Sequence, residues 1–183
     1  MTRWFLLAGV LMVGFGLTGC SEPGAGSGDE PAAEGPQGNA SAQASQSDPA
    51  PEIQAAYWLN TDPLRLADLR GKIVVLEFWA TWCPPCRTTI PHLIKMYEAY
   101  KDKGVVFVSL TNEPREKVEP FVKKMNMPYP IGGGSPSGRA YGVQGIPHAF
   151  IIAPSGEAVW QGHPMTGLED ALRKQLEATP PTK

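Results

Sequence analysis

The chain has 183 residues, with 16 lysines and arginines against 18 acids and a formal charge of −2, which excludes a basic footprint for nucleic acid. Setting aside an apolar leader and a low-complexity stretch leaves roughly 130 residues, enough for one domain with its own core. The leader, 1–19, carries one cation (Arg3) and then an uncharged apolar run from Trp4 to Leu17. That is the layout of a secretory signal, too short and too glycine-rich for a membrane-spanning helix.

The leader ends Leu17-Thr18-Gly19-Cys20, which resembles a bacterial lipobox. The resemblance implies cleavage before Cys20, lipidation of that residue, and a domain held outside the cytoplasm on a lipid anchor. Acyl chains partition at about 0.8 kcal/mol per buried methylene, so more than one chain gives durable attachment. Ser21, rather than aspartate, follows the cysteine, the enteric pattern for the outer membrane. Residues 21–50 contain no Val, Leu, Ile, Met, aromatic residue, Lys or Arg. Such a segment cannot bury a core, and 20–50 is expected to be a disordered tether about 30 Å in r.m.s. span.

The domain is expected over 51–183. Tyr57-Trp58-Leu59 and Leu64-Arg65-Leu66 read as short strands around Asn60-Thr61-Asp62-Pro63. Ile73–Trp79 is a near-continuous apolar run, as in a strand buried on both faces. A helix follows from Pro84 to about Lys101, interrupted by Pro91, and Gly104 closes it. Val105–Leu110 is a second buried strand, and Thr111 or Asn112 can cap a helix over about 114–125. Gly132-Gly133-Gly134 reads as a flexible loop, and 137–141 as a short helix. Ala149–Ile152 is a third strand, turned back through Pro154-Ser155-Gly156 into Ala158–Gln161, before a last helix over about 168–178. Strands alternating with helices and closed by a hairpin predict an α/β sandwich with a mixed sheet.

Between the first buried strand and the first helix lies Phe78-Trp79-Ala80-Thr81-Trp82-Cys83-Pro84-Pro85-Cys86. A helix start offers unpaired N–H groups and the positive end of the macrodipole, so a thiolate there has a depressed pKa and is nucleophilic. Pro84 and Pro85 suit the first turn, where the N–H groups they lack have no intrahelical partner. Two intervening residues set both sulfurs on one turn, able to form a reversible disulfide. A structural zinc site needs four ligands, and the chain has neither a second such pair nor a matching histidine spacing. Cys83 is expected to face the helix start and solvent and act as nucleophile; Cys86, one turn in, resolves. With two N–H donors removed by the prolines, the Cys83 pKa is lowered less than in strong oxidants, which favours a reducing role.

This run, with the later Gly145-Ile146-Pro147, resembles the thioredoxin superfamily, most closely the membrane-tethered TlpA/ResA-like oxidoreductases. The resemblance covers Trp58 onward. It implies a three-layer sandwich with a mixed central sheet flanked by helices, and dithiol exchange that uses no cofactor and no metal. It implies that Pro147 follows a cis bond and covers the dithiol, and that Ile146 pairs its backbone with an extended substrate. Trp82, Pro84 and Pro85 form the substrate-facing rim, and Trp79 is structural. Glu77, six residues before Cys83 in an apolar strand, is implied to be the base that deprotonates Cys86. The chain departs from relatives in having no lysine in Val105–Leu110, and Thr89 where ResA-like proteins often have glutamate. Arg87, His92 and His163 are expected to be solvent-exposed or in loops, and His148 to be a satisfied strand histidine.

The expected activity is thiol–disulfide exchange with extracytoplasmic proteins, by a monomer, more in the sense of a reductant. A reductant in an oxidising compartment draws electrons from a membrane donor of the DsbD/CcdA type. The alternative is a copper or haem-maturation metallochaperone using the cysteines as soft ligands, with His148 as a candidate third, although such carriers of this fold usually separate their cysteines by three residues. A peroxiredoxin expects threonine three positions before the reactive cysteine, where this chain has Ala80.

Overall fold

The apolar run Ile73–Phe78 forms the strand on which the molecule is built: each of its six residues is buried. The computed structural model describes residues 49–179. The expected signal peptide, Cys20 and nearly all of the expected tether lie outside them. The elements are β1 (Tyr57–Leu59), β2 (Ile73–Phe78), α1 (Pro84–Tyr100), β3 (Val105–Leu110), α2 (Arg115–Met125), β4 (Ile131–Gly133), α3 (Ser137–Ala140), β5 (His148–Ile152), β6 (Ala158–Gly162) and α4 (Leu168–Ala178). They form one six-stranded sheet in the order β1-β4-β3-β2-β5-β6. β2 runs parallel to β3 and antiparallel to β5, so the sheet is mixed.

Because side chains alternate along a strand, β2 supplies both cores. Ile73, Val75 and Trp79 join Ile90 and Leu93 of α1, Val118 of α2 and Leu168 and Leu172 of α4 on one face. Val74, Leu76 and Phe78 join Leu66, Leu69, Tyr141 and Phe150 on the other. The result is the expected three-layer α/β sandwich. Pro91 lies within α1 without ending it, and Gly104 closes the following turn with φ 77°.

Three expectations fail. Leu64–Leu66 is not a strand: Leu66–Leu69 is a turn of 3-10 helix that buries Leu66 and Leu69. Its start is held by Glu52, whose Oε1 accepts the Leu66 N–H at 2.5 Å and whose Oε2 accepts that of Ala67 at 3.1 Å. The triple glycine is not a loop; Ile131–Gly133 is β4, antiparallel to β1 and parallel to β3. The aromatic ring of Tyr57 crosses Gly133 so closely that a Cβ would sit 1.8 Å from it. Glycine is needed there for close approach rather than for flexibility. Neither Thr111 nor Asn112 caps α2: Pro114 is the N-cap, with no side-chain hydrogen bond.

Candidate functional site

β2 ends at Phe78, and five residues later Cys83 stands at the N-cap of α1 with extended φ and ψ of −85° and 107°. Its Sγ accepts the Cys86 N–H at 3.3 Å, so one first-turn donor reaches the sulfur despite Pro84 and Pro85. Cys83 and Cys86 are joined as a disulfide. Cys86 has no exposed surface, as expected, but Cys83 is also only 2% exposed, against the expectation that it faces solvent. The reason lies 63 residues downstream: the Ile146 carbonyl oxygen sits 3.7 Å from Cys83 Sγ. The Ile146–Pro147 peptide that follows is cis. An asymmetry between the sulfurs remains. Cys83, with Trp82, Pro84, Pro85 and Ile146, lines an open groove of about 430 Å³, and Cys86 does not. Trp82 forms its rim, 65% exposed, while Trp79 is buried.

The floor beneath Cys86 is polar in an unusual way. Glu77 lies in β2 opposite Ser109 of β3, with only 1% exposure. Ser109 Oγ donates to Glu77 Oε2 at 2.6 Å, the hydroxyl partner of the buried acid in the neighbouring strand. The Thr89 hydroxyl donates to the Cys86 carbonyl at 2.8 Å and also lies against the Glu77 carboxyl, bringing the acid within one side chain of Cys86. Burial pushes the Glu77 carboxyl up to about 7, with Ser109 and then Thr89 pulling the other way. Among the described residues three buried polar atoms have no partner: Glu77 Oε1, Trp79 Nε1 and the Tyr129 hydroxyl. Buried polar groups are usually satisfied, so the unpartnered Glu77 oxygen, with Tyr129 near enough to feel its charge, sets the floor apart.

The model of the AhpC/TSA family matches residues 47–161, well over half of the chain. The chain belongs to the AhpC/TSA family. Among curated family relatives, the thiol–disulfide oxidoreductase ResA of Halalkalibacterium halodurans is 38% identical over 104 residues, 55% of this chain and 59% of the relative. That of Geobacillus kaustophilus is 35% identical over 120 residues, 64% of this chain and 68% of the relative. The chain spans about three fifths of the length of most of the curated relatives it matches. A solved thiol:disulfide interchange protein of the thioredoxin family from Chlorobium tepidum superposes with a TM-score of 0.60 at 26% identity, covering 71% of this chain and 98% of that one. The fold is thioredoxin-like.

Within this AhpC/TSA-family chain, one residue at the site escaped sequence reasoning. Glu113, between β3 and α2, is 6% exposed. Its Oε2 accepts the Thr81 N–H at 2.6 Å and its Oε1 the Thr81 hydroxyl at 2.8 Å, two residues before Cys83. Arg87 Nε donates to the Thr81 carbonyl at 2.7 Å, so the approach to the dithiol is pinned from both sides. A polar residue just past the carboxyl end of a buried parallel strand is the available signal, because sites of α/β sheets gather there. His148 opens β5 with Nε2 3.3 Å from Gln161 Oε1 and lines neither groove at the site. His163 lies in an exposed loop, where its Nδ1 accepts the Met165 N–H. Among the described residues no group of three or more His, Cys, Asp or Glu could hold a metal ion.

Proposed function

We propose that this chain is an extracytoplasmic thiol–disulfide oxidoreductase that works on protein substrates through Cys83 and Cys86, in the reducing direction. The observation that carries the reading is the unequal setting of two bonded sulfurs: Cys83 lines a groove at a helix start, and Cys86 is sealed above a carboxyl poised near neutrality. In the reduced protein the Cys83 thiolate attacks one sulfur of a substrate disulfide. A bond forms between the two, the substrate S–S breaks, and the other substrate sulfur leaves as a thiolate that takes a proton. Glu77, as carboxylate, accepts the Cys86 proton by way of the Thr89 side. The Cys86 thiolate attacks Cys83 Sγ, restores the intramolecular disulfide and releases the second substrate thiol. Two electrons have passed from the dithiol to the substrate.

Trp82, Pro84 and Pro85 present the surface that the substrate meets, and Pro147 follows the Ile146 carbonyl that lies against Cys83 Sγ. Among the described residues the Ile146 N–H makes no backbone hydrogen bond, which suits pairing with an extended substrate segment. Lipidation at Cys20 and the tether that follows hold the domain at a bacterial membrane, where a membrane thiol donor re-reduces it.

The test is the dithiol midpoint potential, read by equilibrium with glutathione, together with turnover of a disulfide substrate by the Cys83→Ser variant. The reading expects a midpoint more negative than about −180 mV and no turnover by the variant. A midpoint near the roughly −120 mV of a strong oxidant overturns the direction. Undiminished turnover overturns the mechanism.

A further inference from the structure

The dithiol groove does not end at Trp82. Trp82, Val143 and Ile146 form a ridge shared with a second groove of about 470 Å³. Part of its lining is apolar, with Phe78 and Leu110 from the ends of β2 and β3. The polar part of its lining is Thr111, Asn112, Ser135 and Arg139. Arg139 is the single charged residue lining either groove, and it forms no salt bridge among the described residues. Glu113, in the loop after β3, is turned inward, its carboxyl oxygens taken by Thr81. A lone exposed cation in a partly apolar groove attracts an anion, and no acid in the lining answers it.

We infer that this second groove is a specificity site for the polypeptide substrate, seating an apolar side chain beside the reacting cysteine and, beyond it, an aspartate or glutamate on Arg139. The inference rests on the oxidoreductase reading and names its substrate class: acidic-flanked cysteine segments in extended conformation. An extended chain crossing the ridge alternates its side chains between the groove and solvent, so only some positions of the acid reach Arg139. The charge preference is therefore position-dependent, not a response to net charge.

The test uses the reduced protein and a set of cysteine peptides, each carrying a leucine beside the cysteine and activated as a disulfide with 2-thiopyridine. Attack by Cys83 joins its sulfur to the peptide sulfur, and the neutral thiopyridine leaves and is followed by absorbance. Glutamate, glutamine or lysine is placed in turn at the second, third and fourth residue from the cysteine. The glutamate-to-glutamine ratio of the second-order rate constants for thiopyridine release, in a single turnover of the reduced protein, is read within each protein, so a general loss of rate cancels. The wild type is expected to favour glutamate about two- to fivefold at one or two positions, the range exposed ion pairs supply, with lysine below glutamine. Arg139→Ala brings the ratio to one, Arg139→Glu inverts it, and roughly 1 M salt erases it in the wild type. Equal rates in the wild type, or a glutamate preference that survives Arg139→Ala, overturn the inference while leaving the oxidoreductase reading standing. No release of thiopyridine from any peptide overturns both.

Discussion

Two carboxyl groups flank the dithiol from different regions of the molecule, and they are treated differently. Glu113, in the loop after β3, has both oxygens occupied by the Thr81 N–H and hydroxyl, with the Thr111 hydroxyl 3.4 Å away. Glu77, in the floor beneath Cys86, has one oxygen on Ser109 and the other without a partner. Hydrogen bonds to a carboxylate favour its charged form, and desolvation favours the neutral one. A carboxyl saturated with donors therefore serves as a fixed tie. A carboxyl starved of donors is left close to the point where it exchanges its proton. The contrast separates what holds the approach to Cys83 in place from what can move a proton near Cys86.

The sharpest way to break this comparison is to titrate stability. Glu77 in the folded state is raised from 4.5 to about 7, so the folded protein binds the proton more tightly than the unfolded chain. The corresponding stability is fully present below about 4.5 and is lost as pH rises through about 7, an effect of roughly 3 kcal/mol. Denaturation midpoints across that window should fall with pH in the wild type, and Glu77→Gln should flatten the curve. A wild-type curve already flat there removes Glu77 as a titrating group. The same variant bears on catalysis. A positioned base contributes at least about 10²-fold, so Glu77→Gln should slow release of substrate from the Cys83 mixed disulfide about a hundredfold at neutral pH. The first attack by Cys83 should change much less. Equal slowing of both steps would make Glu77 a structural residue.

The other side of the comparison predicts a loss of stability from the removal of hydrogen bonds. Glu113→Ala strips the acceptor from the part-buried Thr81 N–H and hydroxyl, and losing these bonds costs about 1–2 kcal/mol. The denaturant midpoint should drop with the slope unchanged. Glu113→Gln, which keeps one acceptor oxygen, should recover part of the loss. If Glu113→Ala leaves the midpoint in place, the tie is not a tie.

The parts of the molecule that could be seen in advance are those whose signal is local. β2 and β3 declare themselves by unbroken apolar runs, α1 and α4 by helical spacing, and the dithiol by its place between strand and helix. The errors came where a local pattern had two meanings. Leu64-Arg65-Leu66 alternates like a strand, yet it is Leu66 and Leu69, three apart, that bury in a 3-10 turn. A run of glycines signals a loop until a tyrosine 76 residues earlier in the chain lies across it. The burial of Cys83 and the tie from Glu113 depend on segments 63 and 32 residues away. No window around the cysteines contains them. Glu113 itself looks like an ordinary acid at a helix start, because its partner is outside its own element.

The smallest effect tests how the tie divides between backbone and side chain. Thr81→Val removes the hydroxyl bond to Glu113 Oε1 and keeps both the N–H bond to Oε2 and the bulk of the side chain. One hydrogen bond of this kind contributes about 1 kcal/mol, and Thr81→Ser, which retains the hydroxyl, should cost less. Since Thr81 and Glu113 share the interaction, their effects should not add: the double variant Thr81→Val with Glu113→Ala should be little worse than Glu113→Ala alone. Strict additivity would mean that each residue acts through other neighbours. In that case the loop before Cys83 is held by the Arg87 side chain at the Thr81 carbonyl rather than by the acid.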